Sequence, residues 1–152
     1  AEAQEFYDNY FKKFPKIKSY FDKVKMDAFE KGYTETFFGR RRYLPDLKSS
    51  LPYLRAMAQR MAMNAPLQGT ATGDIVKLAM SNVDSAIKKG NLEVKVFLLV
   101  QVHDELLYEI KDDEYLETTT HLIKNVMEKV APECPVPLDV DVGVGNNWGE
   151  IE

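Results

Sequence analysis

Three residues with chemically active side chains follow one another between two apolar segments: His103, Asp104 and Glu105. Residues 96–102 and 106–110 on either side are rich in Val and Leu, as expected for two strands that reverse direction here. A carboxylate at such a hairpin tip is a suitable ligand for Mg²⁺, which commonly takes one or two protein carboxylates together with substrate phosphates. Because adjacent side chains point in different directions, we expect one acid to bind the ion directly and the other to lie just outside the ligands of the ion. The alternative is an ordinary polar turn, in which Asp is common.

A second group of polar residues follows helical spacing. Arg60 and Asn64 are four residues apart and share one face of a helix, and Gln68 continues the series beyond Pro66. Arg and Gln can donate to the acceptors of the DNA minor groove, which occupy similar positions in every correct base pair. Such contacts would test the geometry of a pair without reading its sequence. The alternative for these residues, and for Arg55 before them, is a solvated helix face.

These candidate residues depend on a first half that is mostly helical. Aromatic residues at helical spacing predict helices over residues 2–13 and 16–31, and Gly32 would end the second. We expect the aromatic stripe of the first helix to be buried in the core. That stripe consists of Phe6, Tyr10 and Phe14.

The next segments lead to the polar helix face. Residues 33–44 are rich in β-branched and aromatic residues and contain Arg40-Arg41-Arg42, which predicts a small hairpin bearing a basic arm. A helix over residues 52–65 should end before Pro66, because proline cannot continue it. Another helix is predicted from Gln68 to Lys89.

The second half is mostly strand. Residues 94–102 alternate, which predicts every even-numbered residue on one face and every odd-numbered residue on the other. With residues 106–110 they should form an antiparallel hairpin that packs one face under helices and turns the other to a groove. A helix from residue 113 to about 130 and a third strand over residues 138–144 would follow. The predicted fold class is therefore α+β.

Composition excludes several classes of protein. The chain has 152 residues, of which 45% are apolar and 29% charged, which is typical of one soluble globular domain and not of disordered or collagen-like chains. The longest apolar run, Val96–Val100, is too short to cross a bilayer, so no membrane partner is expected. Cys134 is the only cysteine, which excludes an internal disulfide and indicates a reducing compartment.

The charges are unevenly distributed. The net charge of −4 argues against a nucleic-acid-binding protein. Residues 1–66, however, contain 13 Lys and Arg against 8 Asp and Glu, whereas residues 67–152 contain 7 against 16. A basic half joined to an acidic half could serve an anionic polymer on one side and cations on the other. The alternative is a set of solvated helix faces of differing sign.

Several stretches together resemble the C-terminal part of family A DNA polymerases, the bacterial DNA polymerase I type. They cover essentially the whole chain, in the order of the family and close to its spacing. The matching stretches are Gly32-Tyr33-Thr34-Glu35-Thr36, Gly39-Arg40-Arg41-Arg42-Tyr43-Leu44-Pro45-Asp46, Gln59-Arg60-Met61-Ala62-Met63-Asn64-Ala65-Pro66-Leu67-Gln68-Gly69-Thr70-Ala71, Lys77-Leu78-Ala79-Met80, Gln101-Val102-His103-Asp104-Glu105-Leu106 and Val136-Pro137-Leu138-Asp139-Val140-Asp141-Val142-Gly143, with Trp148 near the end.

The resemblance implies template-directed DNA synthesis with two Mg²⁺ ions. It identifies residues 101–106 as the family's motif C, with Asp104 as one of the two catalytic aspartates that hold the ions and Glu105 as its neighbour in the site. His103 would lie at the primer terminus. In this chemistry one ion activates the primer 3′ hydroxyl and the other stabilises the departing pyrophosphate.

The resemblance also implies the partners, which are primer–template DNA and deoxynucleoside triphosphates. Arg60, Asn64 and Gln68 would approach the DNA at the minor groove, and Arg55 would lie nearer its backbone. Residues 1 to about 50 would belong to the fingers and residues 51–152 to the palm. A bacterial-type cytoplasmic location at the nucleoid is expected.

Further expectations follow from the resemblance. Motifs A and B would precede residue 1, so we expect a piece of a longer protein that is inactive alone and self-associates through an unpaired sheet edge. Thr72-Gly73 precede Asp74 where the family commonly has a single small residue, and a helical bulge should absorb the extra residue.

Two other functions remain open. One is a nucleic-acid-binding module without catalysis, and the other is a metal-dependent phosphodiesterase built around the hairpin tip.

Overall fold

The protein is described by a computed structural model over residues 2–111 and 113–151. These residues divide into two compact units, with the boundary between Thr70 and Ala71. Helices and small antiparallel strand pairs make up the fold, which confirms the predicted α+β class. The assignment of residues 1–50 to fingers and 51–152 to palm stays a prediction. Within the described ranges, no helix is both long and apolar enough to cross a membrane.

The first unit is built from helices around a short hairpin. In chain order its elements are α1 (Glu2–Lys13), α2 (Pro15–Lys31), β1 (Tyr33–Glu35), β2 (Arg41–Tyr43), a 3₁₀ turn (Pro45–Lys48) and α3 (Pro52–Gln68). α2 ends at Gly32, whose φ of 81° gives a left-handed cap with its N–H bonded to the Ala28 carbonyl. Ala58 and Ala62 of α3 are fully buried and pack with Ala28 and Leu47. Short alanine side chains at this contact let the helix backbones approach closely.

The aromatic stripe of α1 is not in the core. Phe6, Tyr10 and Phe14 are 75%, 41% and 42% exposed, so the prediction that they are buried was wrong. Their neighbours include one another, since the ring centroids of Tyr10 and Phe14 are 5.2 Å apart. Phe11, one position away from the predicted stripe, is half-buried and reaches α2 by an edge contact with Phe21. Helical spacing predicted an aromatic stripe on α1, but the ring that contacts α2 is that of Phe11, which lies outside this stripe.

Pro66 does not end α3. The helix continues through Pro66 to Gln68, so the prediction that it stops at residue 65 was wrong. Proline removes the donor that would bond the Ala62 carbonyl, four residues earlier, but the turn beyond it is held by other bonds: Thr70 Oγ1 donates to the Pro66 carbonyl at 2.5 Å, and the Gly69 N–H is shared between the carbonyls of Ala65 and Pro66. A π-helical segment, Gly69–Ile75, then leads into the next helix. This wider turn is the expected bulge, because a π-helix places one more residue in each turn.

The second unit packs a hairpin against helices. Its elements are α4 (Val76–Lys89), β3 (Val96–Val102), β4 (Glu105–Ile110), a 3₁₀ turn (Asp113–Tyr115) and α5 (Leu116–Glu128). Val83 and Ile87 of α4 are buried with Val96 of β3, and Tyr108, Ile110 and Ile123 pack around them. One face of the hairpin is therefore covered by helices, as predicted.

A β-bulge at Leu99 changes which residues share a face. Leu98 pairs with Tyr108 and Val100 pairs with Leu107, so Leu99 is an extra residue in β3. Beyond it the alternation is reversed: Val100 and Val102 lie on the face of Phe97, away from the helices. The prediction of a single even-and-odd alternation along the whole strand was therefore wrong, because it assumed a regular ladder.

The predicted third strand over residues 138–144 is not present. Residues 137–145 carry no strand assignment, and the hairpin β3–β4 is a two-stranded sheet within the described residues. The segment is instead attached by a side chain, since Lys124 Nζ of α5 donates to the Val140 carbonyl. The alternating apolar pattern does not by itself make a strand, because a strand also needs a neighbouring backbone with which to pair.

Candidate functional site

One face of α3 is exposed along the length of the helix. Because the helix continues to Gln68, the residues Arg60, Asn64 and Gln68 stand on successive turns, about 6 Å apart along the axis. All three are exposed, whereas Ala58 and Ala62 on the opposite side are fully buried. The structure therefore brings these three predicted residues together on one solvent-facing stripe.

Tyr53 and Met57 extend the stripe toward the beginning of α3. They are 67% and 42% exposed and lie seven residues, or two helical turns, before Arg60 and Asn64 respectively, and therefore on the same side of the helix. Sequence reasoning did not include them among the candidate residues, although their helical spacing could have found them. The stripe thus adds an aromatic ring and a flexible apolar side chain to the polar groups. This mixture can contact the sugars as well as the base edges of a nucleic acid.

Arg55 lies apart from this stripe. Five residues of α-helix place it about 140° around the axis from Arg60. Its guanidinium donates to the Ser49 carbonyl at 3.0 Å, which closes the loop before α3. Arg55 therefore has a structural contact of its own, and its role at a DNA backbone stays a prediction.

The loop of hairpin β1–β2 is held against the end of α3. The Phe37 N–H donates to Thr70 Oγ1 and Arg40 Nη2 donates to the Gly69 carbonyl, both at 2.9 Å. A Cβ atom at Gly69 would lie 2.7 Å from Thr36 Cγ2, so only glycine allows this close approach. The basic arm is thus fixed beside the residue that follows Gln68.

In the second unit, the hairpin tip is a tight turn. Val102 pairs with Glu105, which leaves His103 and Asp104 as the two residues of the loop. His103 has a φ of 52°, a left-handed conformation that is uncommon outside glycine. Gln101 Nε2 donates to the His103 carbonyl at 2.5 Å and so supports the turn from within β3.

The carboxylate of Asp104 is open to solvent. The side chains of His103, Asp104 and Glu105 are all exposed, and within the described residues Asp104 has no hydrogen bond or ion pair. An exposed carboxylate without a cationic partner has the donor chemistry that Mg²⁺ requires. Across residues 2–111 and 113–151, however, no three His, Cys, Asp or Glu side chains converge as a metal site. Asp104 fits a metal ion as one ligand.

The predicted site residues are thus divided between the two units. Arg55, Arg60, Asn64 and Gln68 lie in the first unit, and His103, Asp104 and Glu105 lie in the second.

A comparison with family models defines the class of protein. The model for DNA polymerase family A matches residues 1–150. The chain therefore belongs to DNA polymerase family A.

Individual relatives agree with this assignment. The chain is 44% identical over 147 residues to the thermostable DNA polymerase I of Thermus aquaticus, covering 97% of this chain and 17% of that protein. It is 43% identical over 149 residues to DNA polymerase I of Pseudomonas aeruginosa, covering 98% of this chain and 16% of that protein. The chain thus spans less than a fifth of the length of these curated relatives.

A solved structure shares the fold. The POL domain of Pol1 from M. smegmatis, in complex with DNA primer-template and dNTP, superimposes with a TM-score of 0.92 at 43% sequence identity. The match covers 99% of this chain and 26% of that chain.

Proposed function

We propose that this chain is the motif C region of a DNA-directed DNA polymerase, and that the longer protein carries out template-directed nucleotidyl transfer. The observation that carries the proposal is the Asp104 carboxylate at a two-residue turn, which is exposed and has no ionic partner among the residues that the structure describes. A tight turn between paired strands fixes the position of this carboxylate, which a flexible loop would not do. Membership of DNA polymerase family A supports the same reaction.

Asp104 would contribute one carboxylate to a pair of Mg²⁺ ions. When bound, such ions activate the primer 3′ hydroxyl and stabilise the departing pyrophosphate. Glu105 would lie beside them, where its negative charge adds to the field that attracts cations. His103 would contact the primer terminus, because the turn places its ring next to Asp104. The remaining ligands would come from motif A, outside residues 1–152.

The exposed stripe of α3 would lie along the minor groove of primer–template DNA. Arg60, Asn64 and Gln68 offer donors on successive turns, and acceptors in the minor groove are similarly placed in every correct pair. The similar POL domain is bound to primer-template DNA and dNTP, which supports both partners for the longer protein. Action on the bacterial nucleoid, in the cytoplasm, is part of the same proposal.

The test uses the longer protein that contains this chain, with Asp104→Asn as the main variant. We expect primer extension to fall at least about 100-fold, since losing a metal ligand removes several kcal/mol of transition-state stabilisation. Binding of primed DNA should stay within about twofold of the parent, because the stripe of α3 is unchanged. Asp84→Asn is the matched control, because Asp84 is an exposed carboxylate of α4 that pairs with Lys88.

Near-normal extension by Asp104→Asn would overturn the proposal. So would primer extension by the 152-residue chain alone, since Asp104 would then not need ligands from outside it. Mg²⁺-dependent cleavage of plain duplex DNA, lost in Asp104→Asn, would instead assign the tip to a phosphodiesterase.

A further inference from the structure

A narrow cleft lies in the first unit between the hairpin β1–β2 and the end of α3. Its volume is about 80 Å³. The lining residues that matter here are Thr34, Arg40, Arg41, Arg42, Gln68 and Gly69.

Arg42 is the cation that faces α3. It pairs across the hairpin with Thr34, which is only 7% exposed, so both side chains lie on the face that packs toward the helix. Arg42 Nη2 lies 3.2 Å from the Met61 sulfur of α3. A thioether is a weak acceptor, and within the described residues Arg42 has no carboxylate partner. The guanidinium therefore keeps most of its five donors for a ligand.

The remaining charges favour an anion. Glu35 is the only acidic residue in the lining, against three arginines. It lies on the opposite face of the hairpin, where its Oε1 is 3.4 Å from Arg41 Nε. Arg40 is held in place by the Gly69 carbonyl. The hydroxyl of Thr34 is buried without a hydrogen-bond partner in the described part of the chain, so the cleft also has an unmet polar group.

We propose that this cleft binds one phosphate of the DNA backbone, with Arg42 as its principal contact. The proposal rests on the proposed function, because it places the DNA along the stripe of α3. Pockets that enclose whole small molecules measure roughly 300–1,000 Å³, so a space this small suits a single tetrahedral group. The planar fork of arginine matches two phosphate oxygens at once.

Gln68 connects the cleft to the stripe. It lines the cleft and also ends the row that begins with Arg60 and Asn64. A strand whose base edge meets Gln68 would therefore carry its own phosphate toward Arg42. In this arrangement α3 contacts base edges, and the basic arm holds the backbone beside them.

The test measures the affinity of the 152-residue chain for a primed DNA hairpin by fluorescence anisotropy over a series of NaCl concentrations. Each phosphate neutralised on duplex DNA contributes about 0.9 to the slope of log K against log salt. We expect Arg42→Gln to lower the magnitude of this slope by about 0.9 and to weaken binding most at low salt. Arg42→Lys should keep the slope, because it keeps the charge. A normal slope in this variant would show that the decrease in Arg42→Gln comes from the lost charge and not from misfolding. Lys23→Gln, on the exposed surface of α2, is the control for net charge and should leave the slope unchanged.

An unchanged slope in Arg42→Gln, or an equal decrease in Lys23→Gln, would overturn the proposal. A deoxynucleoside triphosphate that competes with DNA in the parent chain but not in Arg42→Gln would also overturn it, since the cleft would then hold a nucleotide phosphate. Asn64→Ala separates this result from the proposed function, because Asn64 lies outside the cleft lining. Weaker binding by Asn64→Ala together with an unchanged Arg42→Gln would leave the stripe as a DNA contact and remove only the cleft. Failure of the parent chain to bind the primed hairpin would overturn the cleft proposal, whereas the proposed function is decided separately by primer extension with the longer protein.

Discussion

His103 adopts a backbone conformation that glycine would adopt at lower cost. Its φ of 52° lies in the left-handed region, and it is the first residue of the two-residue turn. A residue with a side chain in this conformation costs of order 1 kcal/mol or more, and such strain is often found at functional sites. The turn therefore gives up some stability to present an imidazole beside Asp104.

Replacing His103 with glycine should stabilise the chain and weaken its contact with DNA. We expect His103→Gly to raise the free energy of unfolding by about 1 kcal/mol, measured by urea denaturation, because the strain at this position is relieved. His103→Ala is the matched control: it also removes the ring but keeps the strain, and it should not gain stability. A loss of stability in His103→Gly would show that the ring itself contributes packing that outweighs the strain.

Tyr108 gives the second unit a dependence on alkaline pH. Burial, with a further contribution from the charge of Asp84, raises the pKa of Tyr108 from its ordinary 10 to about 12. Because the folded state holds the phenolic proton more tightly, its contribution to stability is complete below pH 10 and is lost as the pH rises to 12. In urea denaturation at a series of pH values, we expect the free energy of unfolding to fall more steeply in this range in the parent than in Tyr108→Phe. Parallel curves would contradict this assignment.

The stability of the first unit depends on a small core between its elements. Leu47, in the 3₁₀ turn before α3, is 1% exposed and packs with Ala58 and Ala62. Leu47→Ala should lower the free energy of unfolding by about 2–4 kcal/mol, because it leaves a cavity that the fixed helices cannot fill. Leu51→Ala is the matched control: Leu51 is 47% exposed, and its truncation should cost less than about 0.5 kcal/mol. Similar losses in the two variants, measured by thermal or urea unfolding, would mean that Leu47 does not anchor this core.

Element types could be predicted from the sequence more readily than their ends and registers. The spacing of Arg60 and Asn64 predicted a shared helix face, and apolar alternation predicted a hairpin reversing at Asp104. Pro66 misled the prediction because proline removes only one donor from the helix, while the turn beyond it is held by the bond from Thr70 Oγ1 to the Pro66 carbonyl, a contact between neighbours that propensity alone does not contain. The bulge at Leu99 was missed for a similar reason, since an extra residue is defined only by the partner strand.

The candidate site was predicted from side-chain chemistry, but its geometry was not. Asp104 was chosen for its carboxylate, and its exposure agrees with that choice. The cleft beside Arg42 could not be foreseen, because it depends on how the loop after β1 is tied to Gly69 and Thr70. Such contacts join residues about 30 positions apart in the chain, and no local pattern encodes them.

Over the whole molecule, the hairpin β3–β4 leaves apolar surface uncovered. Phe97 and Leu99 are 42% and 55% exposed, and β3 and β4 pair only with each other within the described residues. An apolar strand with an unpaired edge is a template for pairing with a second copy. This exposure is the physical basis for the expected self-association of the chain.

Sedimentation velocity over a range of concentrations tests this expectation. We expect the 152-residue chain to form dimers or larger species at tens of micromolar, and Leu99→Lys to shift it toward the monomer, because a charged side chain at an edge opposes pairing. Leu51→Lys is the matched control: it adds the same charge at a residue that is 47% exposed and lies outside the hairpin, and it should leave the oligomeric state unchanged. A parent chain that remains monomeric at every concentration would refute self-association.

The bulge at Leu99 also decides which residues make the reversal. β3 contributes seven residues between Val96 and Val102, whereas β4 contributes six between Glu105 and Ile110, and the surplus is taken up five positions before the acid. In an uninterrupted ladder starting from Leu98, Gln101 would stand opposite Glu105 and Val102 would be drawn into a three-membered loop. An aliphatic residue with no chemistry of its own thus sets the register that leaves only the imidazole and the acid in the loop.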